Sequence, residues 1–291
     1  MQLTTVLEQS PACLISFSAI VGLIVGSFLN VVIYRLPLML HRDWRQECYE
    51  YLNIAPPDNA TEIFNLALPG SHCPSCKTSI KAQQNIPLIS FLLMGGKCAA
   101  CGSSISWRYP LVEALAGLFS ALVAWRFGYS STTLFALLFT WGLIALSFID
   151  LEQQLLPDNL TQPLLWLGLL LSIFQVFANS QDAIIGAITG YLSLWSVYHL
   201  FRLLTGKEGM GYGDFKLLSV CGAWLGWQFL PQIILLSSVL GSVCGLLLIL
   251  RKKLTVEQAM PFGPYLALAG WLALIWGDGL NNYYLQLVGL R

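Results

Sequence analysis

Charge is scarce in this 291-residue chain: only 10% of its residues are Asp, Glu, Lys or Arg, while 56% are hydrophobic, and the mean hydropathy is +0.67. Soluble domains carry roughly a quarter charged residues, so a large water-soluble core does not account for this composition. Acids and bases balance at 15 each, which removes the strongly basic footprint of a nucleic-acid binder. Lys and Arg are absent from residues 1–11, where a secretory signal would carry its positive region. The apolar run from Pro11 to Tyr34 is therefore expected to stay as a first membrane helix. Low-complexity tracts and convincing internal repeats are lacking too.

What is present is a series of apolar runs. A hydrocarbon core about 30 Å thick takes roughly 20 mostly apolar helical residues to cross. Runs of that kind occur near 12–34, 110–128, 132–149, 161–178, 183–204, 215–229, 231–250 and 262–280, eight candidate spans in all. The sixth is the shortest, and Pro231 separates it from the seventh. The fold class expected is an all-α polytopic membrane protein of about eight transmembrane helices. One long polar segment, 35–108, interrupts the series, and within it 52–72, with Pro56, Pro57, Pro69 and Gly70, reads as loop. This suggests three parts: a first helix over 1–34, a loop domain over 35–108 and a seven-helix domain over 109–291.

Orientation follows from the basic residues, which collect in cytoplasmic loops. Arg35, Arg42, Arg45, Lys77, Lys81, Lys97 and Arg108 lie in or beside the first loop. Arg202, Lys207 and Lys216 flank the loop between spans five and six, and Arg251, Lys252 and Lys253 follow span seven. Thirteen of the fifteen bases thus share one side, with only Arg126 and Arg291 on the other. Both termini are expected outside, with 35–108 in the cytoplasm.

That compartment bears on the cysteines. Cys73-Pro-Ser-Cys76 and Cys98-Ala-Ala-Cys101 are two C-x-x-C pairs with 21 residues between them, the spacing of a tetrahedral zinc site. Two disulfides would satisfy the same pattern, but a cytoplasmic loop is reducing, so a zinc-knuckle loop is the preferred reading. With four thiolates the ion would have no open position and would be structural. His72 abuts the first pair, but a fifth ligand is unnecessary. Cys13, Cys48, Cys221 and Cys244 lack such spacing.

Ionisable groups at membrane helices are costly and are functional candidates by default. Glu8, Asp182 and Asp278 fall at outer ends and Glu257 in a short loop, where solvation explains them. Glu113, early in span two, is explained equally by a charge at a helix N-terminus and by function. Asp150 ends the run Trp141-Gly-Leu-Ile-Ala-Leu-Ser-Phe-Ile-Asp150, and Asp214 closes the turn Gly209-Met-Gly-Tyr-Gly213. Span three runs inward and span six outward, so both aspartates come to one depth on the cytoplasmic side. Two carboxyls brought together there would share a proton, one serving as base and the other as acid. On these residues alone, a helix end and a helix cap explain them as well.

The motifs that surround the aspartates resemble a known family. Gly209-Met-Gly-Tyr-Gly-Asp214 looks like the GxGD signature of membrane aspartic proteases. Combined with Phe148-Ile-Asp150-Leu-Glu-Gln-Gln-Leu-Leu-Pro-Asp158, it is similar to the type IV prepilin leader peptidase/N-methyltransferases. Gly26-Ser-Phe-Leu-Asn-Val-Val-Ile-Tyr-Arg-Leu-Pro37, the paired C-x-x-C loop, Trp107-Arg-Tyr-Pro-Leu-Val-Glu113 and Pro261-Phe-Gly-Pro264 extend the likeness over nearly the whole chain.

The resemblance implies that Asp150 and Asp214 are catalytic, that Asp158 is not, and that Cys73, Cys76, Cys98 and Cys101 hold zinc. The implied substrates are type IV prepilins and type II secretion pseudopilins. Their leader would be cut at the cytoplasmic face of the bacterial inner membrane, and the new N-terminal residue, commonly Phe, methylated with S-adenosylmethionine. The second activity rests on resemblance alone, because 35–108 holds no glycine-rich nucleotide signature. Gly95-Gly96 would line a donor pocket or form a plain turn, and the donor-binding residues stay unknown. Competing readings are a peptidase without methyl transfer, a transporter with midplane acids and a non-catalytic scaffold. Loop 35–108 disfavours the first, and acids at helix ends disfavour the second.

Overall fold

The computed structural model describes residues 3–55, 64–251 and 260–287. Pro56, Pro57, Lys252, Lys253, Glu257 and Arg291 lie outside the described residues, as does the side chain of Asp278. Among the described residues the architecture is helical, with no strand beyond isolated bridges. The chain divides into two compact units, Met1–Thr133 and Leu134–Arg291.

In the first unit, the short α1 (Leu3–Gln9) leads into α2 (Pro11–Leu52). Ser10 caps α2 by accepting the Cys13 N–H, and Pro11, which has no N–H to leave unpaired, opens it. The sequence pattern suggests a helix that stops near residue 34. Instead α2 continues to Leu52, so the loop of the polar segment begins later than expected. Arg, Gln and Glu, good helix formers, fill the extension. Gln46 donates to Glu50 at 3.0 Å one turn on, and Asn53 ends the helix in the left-handed conformation at φ 54°. At 1.5 Å per residue α2 is about 60 Å long, roughly twice the hydrocarbon thickness.

After the loop come α3 (Ile89–Leu93) and α4 (Arg108–Phe127). α4 packs on α2 along a seam of small residues: a Cβ on Gly26 would stand 2.7 Å from the Glu113 Cα, and one on Gly22 would strike Ser120. Small side chains let membrane helices approach at backbone distance. Arg35, buried in α2, donates to the carbonyls of Asn65 (3.0 Å) and Pro69 (2.6 Å) and so holds the start of the loop against the helix.

The second unit contains the body of α5 (Ser131–Gln153), then α6 (Asp158–Ile173), α7 (Ser180–Thr205), α8 (Tyr212–Leu225), α9 (Leu230–Leu250) and α10 (Gly263–Leu287). Each of the eight apolar runs has become a helix. Among the described residues, five segments are long and apolar enough to cross a membrane: α2, α4, α5, α7 and the helical stretch ending in α9. The chain is a multi-pass membrane protein. The short α8 is its most enclosed helix, with every residue from Phe215 to Leu225 except Lys216 buried. Gly186 and Gly190 of α7 meet α8 at backbone distance, Gly186 and Gly222 each filling the space a Cβ on the other would need. Phe139 of α5 stacks on Trp224 at 4.6 Å between ring centres, and Trp271 of α10 donates to Thr140 at 3.1 Å. Packing on α6, α7 and α10, with Phe139 of α5 on Trp224, explains why a 14-residue helix suffices here.

Candidate aspartate pair and cysteine cluster

α5 runs on past Asp150 to Gln153 and α8 opens at Tyr212, so Asp150 lies in the last turn of one helix and Asp214 in the first turn of another. Both are buried, 5% and 7% exposed, and one side chain, Leu156, lies against both Gly213, next to Asp214, and Gly263, which bonds Asp150. The structure therefore brings together the two acids that sequence reasoning singled out.

Gly263 and Leu156 build their surroundings. The Gly263 N–H, at the first residue of α10, donates to Asp150 Oδ2 at 2.9 Å. A Cβ on Gly263 would stand 2.7 Å from that oxygen, so only glycine leaves the carboxylate its place. Leu156, in the link from α5 to α6, packs against both Gly213 and Gly263: Cβ atoms added there would come to 2.6 Å and 3.3 Å from its side chain. One leucine thus lies against the residue before Asp214 and the residue that binds Asp150. Asp158 stands apart from the pair, bonded through both oxygens to Lys216 Nζ at 2.6 and 2.9 Å. Sequence reasoning assigned no role to Leu156 or Gly263. The only signal for Gly263 was its place in Pro261-Phe-Gly-Pro264.

The four cysteines of the C-x-x-C pairs converge in the first unit. Their sulfurs lie within 4.8 Å of one another, and Cys73 Sγ is 3.9 Å from Cys101 Sγ. Tetrahedral zinc with Zn–S near 2.3 Å sets its sulfurs about 3.8 Å apart, so the cluster fits such an ion. All eight cysteines are free thiols. The main-chain N–H groups of Cys76 and Ser75 point at the Cys73 sulfur and pull its thiol down to about 6, toward the thiolate a metal requires. His72 turns away, its Nδ1 on the Gly70 carbonyl at 3.0 Å.

The two knuckles are copies of one turn, a local repeat of backbone geometry that their differing residues conceal. Lys77 donates to the Cys73 carbonyl and Gly102 to that of Cys98, each at 2.9 Å, and both residues have positive φ, 60° and 71°. Cys73 donates to Thr78 as Cys98 does to Ser103, and Ile80 to Ser71 as Ile105 does to Gly96. Gly95 and Gly96, with φ of 59° and 68°, close α3 through N–H bonds to Leu92 and Phe91. That turn accounts for both glycines.

Fold and site together define a multi-pass helical membrane protein with a buried aspartate pair and a tetracysteine cluster. Residues 20–127 match the family described as bacterial peptidase A24 N-terminal domain, and residues 137–246 the type IV leader peptidase family. A prepilin leader peptidase/N-methyltransferase of Stutzerimonas stutzeri is 55% identical over 284 residues, 98% of each chain. One of Pseudomonas aeruginosa is 51% identical over the full length of both, and one of Pseudomonas putida 53% identical over 99% of this chain. The chain belongs to the type IV prepilin leader peptidase/N-methyltransferase family. No solved structure matches it.

Proposed function

We propose that this protein is a bifunctional membrane enzyme that removes the leader of type IV prepilins and type II secretion pseudopilins, then N-methylates the exposed residue, commonly Phe. The observation that carries the peptidase is the buried Asp150–Asp214 pair at the end of one helix and the start of another. With one proton between them, the ionised carboxylate takes a proton from water as it attacks the scissile carbonyl, and the protonated partner gives its proton to the leaving amine. The Gly263 N–H orients Asp150 for that transfer. The charge bias of the loops supports an inner-membrane enzyme with this pair facing the cytoplasm, where a prepilin helix leaves the bilayer.

In this reading 109–291 carries proteolysis and 35–108 methyl transfer, with 1–34 as the first membrane helix. Cys73, Cys76, Cys98 and Cys101 would hold a structural zinc that cross-links the two knuckles. S-adenosylmethionine would supply the methyl group, an activity supported by the names of the relatives.

The test is cleavage of a reconstituted prepilin. Asp150→Asn and Asp214→Asn should each lower kcat by at least about 10³-fold in protein that still elutes as a folded species. Undiminished cleavage by either variant rejects the pair. Labelled methyl donor should then mark the mature N-terminus, and its failure to do so would leave a peptidase alone.

A further inference from the structure

The segment around α3 belongs to the polar stretch of the chain, yet its outer face is aliphatic. Ile86, Ile89, Leu92 and Leu93 are 43%, 55%, 74% and 82% exposed. Single exposed aliphatics are ordinary, but four on one short element form a patch that calls for a covering surface. Phe91 turns inward, with its ring edge-on to Trp107 at 5.0 Å and against Gly96. The outward direction of the other four is therefore set by packing.

The depth of this segment identifies what covers it. The Leu88 N–H donates to Glu113 Oε2 at 2.8 Å. Glu113 is a buried acid, the sixth residue of α4, so it lies about 7 Å along that helix from its start. Trp107, Arg108 and Tyr109 at that start form the aromatic and basic rim usual at a membrane surface. The Glu113 side chain leans back toward the start of α4, so the bond holds the chain at that rim. The chain reaches Glu113 through a tight turn at Leu88, with φ 59° and Ile89 N–H on the Pro87 carbonyl at 2.6 Å. This γ-turn is of the strained hand and is held in place by its surroundings. The bases flanking the segment, Lys81 and Lys97, are exposed and suit anionic headgroups.

We infer that residues 86–93 form an interfacial anchor, with α3 lying in the headgroup–acyl boundary and Ile86, Ile89, Leu92 and Leu93 in lipid. Interfacial helices lie in the headgroup–acyl boundary, and the Leu88–Glu113 bond holds the segment beside the first turns of α4, where that boundary falls. The anchor ties the cysteine cluster to the bilayer beside α4, and Glu113 is its tether.

Photocrosslinking tests this on the full chain in phosphatidylethanolamine–phosphatidylglycerol vesicles with added prepilin. p-Benzoylphenylalanine is placed at position 92 or 93, or at 83 as an exposed control outside the patch. Irradiation should add the mass of a phospholipid at 92 and 93, at least about tenfold more than at 83. Equal lipid capture at all three positions would overturn the proposal, as would no lipid capture at 92 and 93. Capture of prepilin there in place of lipid would also overturn it and make the patch a substrate surface.

Discussion

The main-chain N–H of Gly263 donates to Asp150 Oδ2 at 2.9 Å, and the oxygen occupies space that a side chain at 263 would take. The two residues are 113 positions apart in the chain, on α5 and α10. In the proposed reaction Asp150 exchanges protons with water and an amide leaving group, which requires a set direction, and this contact would supply it. Gly263→Ala is expected to push the carboxylate aside and lower kcat for prepilin cleavage about 100-fold, with KM little changed because the substrate-binding surface is retained. Steady-state kinetics of the purified variant check this. A wild-type kcat would mean that Gly263 does not position Asp150.

Asp158 is a motif acid that lies outside the proposed catalytic pair. Its pair with Lys216 is half exposed, the side chains being 57% and 29% accessible, so solvent screening limits it to about 0.5 kcal/mol. Asp158→Asn should therefore lower the melting temperature by only a few degrees and keep cleavage within about tenfold of wild type. A loss as deep as that of Asp150→Asn would make Asp158 part of the chemistry.

The cysteine cluster predicts a stoichiometry. Purified protein should contain about one zinc per chain, and Cys73→Ser combined with Cys76→Ser should lose it. Without the cross-link the two knuckles have little apolar core, so trypsin should cut at Lys77 and Lys97 at least about tenfold faster after metal removal. Metal retained by the double variant, or unchanged proteolysis after chelation, would count against the assignment.

The α7–α8 crossing offers a stability test away from the aspartates. A Cβ on Gly222 would overlap the Gly186 carbonyl, and backbone cannot yield as a side-chain tip does. Gly222→Ala should cost about 2–3 kcal/mol, read as a lower midpoint in denaturant titration of the detergent-solubilised protein. Gly279→Ala, where a Cβ would meet nothing within 4 Å, should cost under about 1 kcal/mol.

Much of this was legible from the residues alone because the signals are local. Hydropathy reports whether a stretch prefers lipid to water, and all eight apolar runs became helices. C-x-x-C spacing reports a turn that aims two sulfurs at one point, and the four sulfurs converge. Counting spans puts Asp150 and Asp214 at one membrane depth, and both are buried, one in the last turn of α5 and the other in the first turn of α8.

Other features depend on which distant residues meet, and a linear pattern does not encode that. Polar helix formers after residue 34 look like loop to a hydropathy reading, because polarity distinguishes water from lipid and not helix from coil. Glu113 was ambiguous until the Leu88 N–H arrived from 25 positions away, and the apolar residues of α3 were indistinguishable from loop until that bond set their depth. Sequence by itself determined the membrane class, the helices, the cysteine turns and the candidate acids. Tertiary packing alone decided that Leu156 lies against both Gly213 and Gly263, and that an amide from α10 holds Asp150, because close approach of backbone to carboxylate is a property of three helices together.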